Sequence, residues 1–464
     1  MTQPTQPSPQ PQPPSRPAEA QKLGELLRTP GYRKTLVFCG LIGIPVSLAA
    51  FWFLAGLQKL ESLVWTDLPH ALGHDTPPWW WPLPLLLISG LCVGQIVTRF
   101  PGAGGHIPAN GLHPGGIGAS ALPGVVLAAV FSLPLGATLG PEAPLIALGG
   151  GLAIALRHLT GTPETPMSTA LLGAAGSAAA IATIFGNPLI GAVLLMEVVG
   201  VGGPQLFAVM LPALLSSGIG SLVFTGFGRW TGLGTGDLKL KAGPQFPRLD
   251  VGDVAWSILI AVVIAFGVHL IQYGGRLTAV HVARRPLTVT ALSALAAGVC
   301  AAAYALGTGR SPADVASSGQ ATLGQLAGDP QAWGVGALIA VLLCKGAAFS
   351  LCLGSLRGGP IFPSLFLGAA AGVLCSPLPG LGIGAGLAAG MAAATVTALR
   401  LPVSSVVLVV LLLGSTEMIP VAILAAVVAF VTAELLPPGP QIPPVGRTPQ
   451  PAAPAAPAAP APPA

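Results

Sequence analysis

One acid stands where ionised side chains are rarely found. In Leu139-Gly140-Pro141-Glu142-Ala143-Pro144, continued by Leu145-Ile146-Ala147-Leu148-Gly149-Gly150, Glu142 has apolar neighbours on both sides. Glycine and proline end one helix here and begin the next. The second helix then offers free backbone N–H groups and the positive end of its dipole. Such a start is an anion site without a full positive charge. A carboxylate fixed there can fill the site as a tethered anion, and vacate it when protonated or swung aside. The plainer reading is a first-turn Glu that stabilises the helix dipole, and on this motif alone both stay open, an intramembrane acid being a functional hypothesis by default.

Two other breaks resemble it. Pro101-Gly102-Ala103-Gly104-Gly105-His106-Ile107-Pro108 carries consecutive glycines, which let backbone amides approach an ion closely. Gly354-Ser355-Leu356-Arg357-Gly358-Gly359-Pro360-Ile361-Phe362-Pro363 ends one apolar helix and starts another, with Phe362 placed to close a pore wall. Alone, the first reads as a flexible loop and the second as ordinary core packing. Together, three glycine-rich helix starts with one acid among them describe a dehydrated anion path lined by backbone dipoles.

The elements that must position these breaks lie in a membrane. The chain has 464 residues, 52% hydrophobic and only 8% charged, with a mean hydropathy of +0.77. Soluble domains carry about a quarter charged residues, so a bilayer is the fitting solvent. Residues 35–58, 79–98, 205–225, 254–273, 286–306 and 333–353 are apolar runs long enough to span, which takes about 20 residues. The runs 122–138, 144–156, 168–184, 187–199, 361–377, 381–397, 402–414 and 419–436 are shorter or interrupted, the mark of discontinuous helices. Gly-rich breaks in each half give a weak two-fold signal, compatible with an inverted repeat. The expected fold is thus all-α, one polytopic domain over 21–436. Pro/Gln-rich 1–20 and Pro/Ala-rich 437–464 are expected to be disordered tails, and 21–34 a short cytoplasmic helix with Leu23, Leu26 and Leu27 on one face.

Net charge is +5. Lys22, Arg28, Arg33 and Lys34 precede the first apolar run, Arg276, Arg284 and Arg285 cluster later, and a Trp-rich loop spans 61–81. The positive-inside tendency puts the N-terminus in the cytoplasm and that loop outside. Scattered basic residues argue against nucleic-acid binding. Cys39, Cys92, Cys300, Cys344, Cys352 and Cys375 lie in apolar stretches without a CxxC pair and read as small buried hydrophobes. His70, His74, His106, His113, His158, His269 and His281 are dispersed and read as loop or interface residues, not metal ligands.

Here the motifs resemble those of the CLC family of chloride channels and proton-coupled chloride antiporters, over about residues 35–436. Gly140-Pro141-Glu142-Ala143-Pro144 is similar to the family's G-[KR]-E-G-P, departing at Pro141 and Ala143. Gly104-Gly105-His106-Ile107-Pro108 is looser against G-S-G-I-P; the serine that touches the anion in relatives is missing and His106 lies nearby. Gly359-Pro360-Ile361-Phe362-Pro363 approximates G-x-F-x-P, leaving either Ile361 or Phe362 for the filter position. Phe185-Gly186-Asn187-Pro188-Leu189-Ile190-Gly191 to Glu197, Lys345, and the run 388–433 add support. The resemblance implies chloride transport gated by Glu142. The anion would be held by Gly105, His106, Ile107, Gly140, Pro141, Ala143, Ile361 and Phe362. It also implies a bacterial inner-membrane homodimer with both termini cytoplasmic, and no cofactor beyond chloride as substrate.

Two departures bear on mechanism. The acid that family antiporters often carry after the residue matching Glu197 is Val198 here, which favours a channel over proton coupling. The family's pore tyrosine near the chain end has no match, and too few residues remain after 436 for a CBS domain. The competing readings are an unrelated secondary transporter of a small anionic solute, against which the apolar core counts, and an intramembrane enzyme, for which no HExxH, GxSxG or paired-acid motif is present. Glu197 is expected at the interface or capping a backbone amide, and Glu417, beside Pro420, facing solvent.

Overall fold

A computed structural model of the chain describes residues 24–25, 27–112, 118–159, 165–200, 204–232, 240 and 249–443. Leu23, Leu26, His113 and the tails 1–20 and 444–464 lie outside the described residues, and the side chain of His158 is likewise not described.

Among the described residues the regular structure is helical. The helices are α1 (Pro30–Ser62), which continues through a π turn to Ala71, α2 (Pro82–Arg99), α3 (Leu122–Ser132), α4 (Glu142–Ala155), α5 (Pro166–Phe185), α6 (Pro188–Val199), α7 (Pro204–Thr231), α8 (Val251–Arg284), α9 (Pro286–Thr308), α10 (Gln320–Gly328), α11 (Val335–Ser355), α12 (Ile361–Cys375), α13 (Ile383–Leu399), α14 (Pro402–Leu413) and α15 (Ile419–Leu435). Most begin with proline at a first helical position, where its missing N–H costs nothing. Helices α1, α2, α7, α8, α9 and α11 coincide with the six runs expected to span. Residues 168–184 are a correction. The Thr165–Ser168 capping box starts α5 before the apolar run, giving a 20-residue helix whose Ser168–Phe185 part is long and apolar enough to cross.

The long helices turn large apolar side chains outward, Leu222, Val263, Leu270 and Leu343 each more than 60% exposed, as lipid-facing surfaces do. The short helices α4, α12 and α13 form the interior. α13 is buried from Ala385 to Leu399. It packs on α12 through glycine, since a Cβ on Gly368 would lie 2.2 Å from the Gly390 carbonyl and one on Gly372 2.0 Å from the Gly386 carbonyl. α4 meets α5 the same way, at Gly149 and Gly176. Small residues at these crossings let backbones touch, which is how helices associate where burial supplies no drive.

The order α4–α7 recurs as α12–α15. Each series opens with a short helix behind a glycine–proline break, adds a partner packed through glycine, and then a 12-residue helix ending on a left-handed glycine, Gly200 or Gly414.

Candidate functional site

Counted along the chain, the break at 101–108 is the first, and the second and third, at 140–144 and 354–363, have one local design. Gly140-Pro141-Glu142-Ala143-Pro144 starts α4, and Gly359-Pro360-Ile361-Phe362-Pro363 starts α12. In each, proline stands at the N-cap and again three residues on. Proline has no N–H, so each helix head presents the two amides between its prolines. The breaks face one another: Gly140 N donates to Gly359 O at 2.7 Å, and Gly359 N to Gly140 O at 2.6 Å. This isolated antiparallel bridge ties the two halves of the chain together at the site.

Glu142 lies over that bridge, fully buried. Its Oε1 accepts from the Phe362 amide at 2.9 Å. The carboxylate of one helix head therefore sits on the amide of the other. Oε2 is buried with no hydrogen-bond partner among the described residues. Both bridge glycines are needed for this pose, because a Cβ on Gly140 would stand 2.2 Å from Oε2 and one on Gly359 2.0 Å. The Phe362 ring, also buried, stacks on Phe185 with centroids 5.7 Å apart. Of the two filter candidates, Phe362 thus supplies both the amide that Glu142 holds and an aromatic wall.

The first break differs from expectation. Gly102, Ala103, Gly104 and Gly105 all have positive φ. The chain after them, Gly105–Ile107, is irregular and leads only to a three-residue 3₁₀ turn, Pro108–Asn110. It is not a helix start, since four successive left-handed residues followed by Pro108 cannot carry an α-helical hydrogen-bond ladder. It still reaches the other breaks. Gly104, Gly105 and His106 share with Ala143, Arg357 and Gly358 the lining of a cavity of about 10 Å³.

That cavity holds the residue the sequence reading passed over. Arg357 is 3% exposed. Its Nε and Nη2 donate to Ala103 O at 3.3 and 3.2 Å, and Nη1 to Leu356 O at 3.2 Å. No carboxylate pairs with it among the described residues. A site expected to lack a full positive charge therefore has one in its wall. The signal was present: position 141, basic in the resembled motif, is proline, while an arginine stands just before the glycines of the third break.

The expected site residues fall into two groups. Gly105, His106 and Ala143 line the small cavity, while Gly140, Ile361 and Phe362 surround the Glu142 carboxylate. Pro141 lines a separate cavity of about 40 Å³ with Gln58, Glu61 and Ser318. Gln58, Glu61 and Ser318 also line a wider one of about 650 Å³. Ile107 lines none of these cavities and packs against the core. A cavity of about 350 Å³ opens beside Asn110 and Leu112, lined by His269, Arg276 and Arg400.

Lys345 is buried, its Nζ donating to the carbonyls of Asp314, Val315 and Ser317 at 3.0–3.2 Å, so it fastens the loop lining the wide cavity. Glu197 accepts from Val403 N at 3.0 Å and Ser404 N at 2.7 Å, capping α14 as expected. Glu417 is exposed. The six cysteines are free, and among the described residues no His, Cys, Asp and Glu cluster could hold a metal ion.

The comparisons with known proteins agree with this architecture. The family model described as voltage gated chloride channel matches residues 89–434. The YfeO protein of Salmonella newport (strain SL254), whose name assigns it ion transport provisionally, is 27% identical over 344 residues, 72% of this chain and 78% of that protein. A namesake from Escherichia coli O1:K1 / APEC is 26% identical over 352 residues, 74% and 79% of the two. Among solved structures, a slow cyanobacterial Cl⁻/H⁺ antiporter superposes with a TM-score of 0.70 at 19% identity, covering 86% of this chain and 94% of that one. A CLC-type fluoride/proton antiporter follows at 0.67 and 19%, covering 86% and 96%. The fold is thus the CLC type, all-α with broken helices in an inverted repeat, and the chain belongs to the voltage gated chloride channel family.

Proposed function

We propose that this protein carries chloride or a similar small anion across the membrane, with Glu142 as its gate. The observation that supports this most is the Glu142–Phe362 contact. A buried carboxylate accepts from the amide at the head of α12, where a free halide would be equally suited. Ionised, Glu142 fills the place; neutral, it loses its hold and the place opens. Loss of the buried charge at low pH therefore raises flux. In this reading the cavity at Glu61 and Pro141 and the cavity at Arg276 and Arg400 would serve as the two mouths. Neither a cofactor nor a metal has a part in this scheme.

Val198 favours uncoupled conduction, because it provides no acid beside Glu197 to pass protons onward. Proton-coupled exchange is the second reading, favoured by the solved relatives being described as antiporters. Purified protein in liposomes decides between them when chloride efflux and proton movement are recorded together. Uncoupled conduction gives chloride flux without uphill proton movement; stoichiometric proton uptake driven by a chloride gradient would contradict it. Absence of any halide flux would leave the secondary transporter of another small anion. We further propose an inner-membrane homodimer with both termini cytoplasmic. Labelling of single cysteines introduced at Thr2 and Ala464 tests the topology, and opposite-side accessibility would refute it.

A further inference from the structure

The anion reading does not by itself explain a buried guanidinium without a counter-charge. Arg357 comes from the third break and reaches back to the first, where two of its nitrogens share the Ala103 carbonyl. With Nη1 on Leu356 O, three of its five N–H groups are engaged, leaving one on each terminal nitrogen. Its partners are neutral carbonyls, so the positive charge stays uncompensated within the described residues. Buried charges are normally paired or lost to substitution, because removing them from water is costly. This one also lines the 10 Å³ cavity between Gly104–His106 and Ala143, space for roughly one water-sized body. A small monovalent anion is close to that size, chloride being somewhat larger than water, so the lining must give slightly to hold it. The cavity adjoins the head of α4, whose dipole adds positive potential there.

We propose that Arg357 is the fixed counter-charge of the transported anion, binding it in the cavity between the first break and the head of α4, next to the place that Glu142 fills. This rests on the anion-transport reading and adds to it a specific ligand group. Two sites then stand in series. At one, Glu142 and the anion exclude each other on the Phe362 amide; at the other, the guanidinium holds an anion by charge. The site selects for small anions by volume and for a single charge by having one cation.

The test uses the full chain with Arg357→Lys and Arg357→Met, titrated calorimetrically with chloride and with bromide, and assayed for halide flux in liposomes. Lysine keeps the charge but not the two-nitrogen grip on Ala103 O, whereas methionine keeps the length alone. Expected is halide binding by Arg357→Lys near that of the wild type, and binding weakened roughly ten- to a hundredfold in Arg357→Met, the range for a lost charged hydrogen-bond donor. Equal losses in both variants would make the residue a strut for the Ala103 loop and overturn the proposal, as would no loss in either. Should the methionine variant fail to fold, wild-type crystals grown in bromide decide. An anomalous peak within about 4 Å of a terminal Arg357 nitrogen, ion-pair range, supports the site, and bromide found only elsewhere overturns it. If wild-type protein transports halide while Arg357→Met binds it as tightly, this inference alone falls. If the wild type neither binds nor moves halide, the anion reading falls with it.

Discussion

Glu142 is held across the interface of two helix heads, Phe362 N donating to Oε1. Its other oxygen lies against glycine, where a methyl group would take its place. That contact makes the gate adjustable from outside the acid itself. A Cβ on Gly359 would meet Oε2 at 2.0 Å, with the Ala143 amide at 3.1 Å. The side-chain tip moves more easily than either backbone, and Gly359 needs no left-handed φ. Gly359→Ala is therefore expected to fold and to displace the carboxylate, giving higher anion flux that depends less on pH. Unchanged flux and pH dependence in the folded variant would show that the carboxylate does not block the path. At this scale the sequence was legible where it broke a rule: an acid among apolar residues behind glycine and proline identifies itself. Arg357 was harder to read, because an arginine in a glycine-rich loop ordinarily reaches water; the missing basic residue at 141 is a hint, and its burial by Ala103 and Leu356 gives that hint its meaning.

The apolar runs and prolines located most helices, because in lipid the backbone must satisfy itself and hydropathy marks the buried length, but not every end: α8 runs on from 273 to Arg284, α3 stops at Ser132 rather than 138, and the more polar α10 had no run to announce it. The first break was misread for the opposite reason. Glycine permits both a helix start and a left-handed loop, and the run of positive φ from Gly102 to Gly105 is fixed by tertiary contacts such as the Ala103–Arg357 bonds. The repeated Gly-Pro-x-x-Pro at 140–144 and 359–363 stands in the sequence, yet its meaning depends on the Gly140–Gly359 bridge, which links residues far apart in the chain. Between elements, Glu197 ties α6 to α14 by accepting from two amides. Glu197→Ala is expected to cost about 1 kcal/mol, as loss of a helix cap does, and to lower the melting temperature. Its ratio of proton to anion movement is expected to match the wild type. Abolition of proton movement by this change alone would make Glu197 a relay instead of a cap.

Over the whole molecule, the long apolar helices other than α5 turn large side chains outward, while α4, α5, α12 and α13 lie inside and surround the Glu142 carboxylate that links both helix heads. The cavity reaching Pro141 carries Glu61, while the one beside Asn110 and Leu112 carries Arg276 and Arg400. The basic cavity would concentrate an anion by its charge. The central claim is that carboxylate and anion compete for one place, and Glu142→Gln tests it most directly. Glutamine keeps the shape and never ionises. Halide efflux from liposomes is measured for the wild type and this variant across pH. The account predicts wild-type flux that rises as pH falls, and Glu142→Gln flux that is high and nearly independent of pH. A folded Glu142→Gln protein that keeps both the flux and the pH dependence of the wild type would contradict it, and would leave Glu142 as a structural residue at the head of α4.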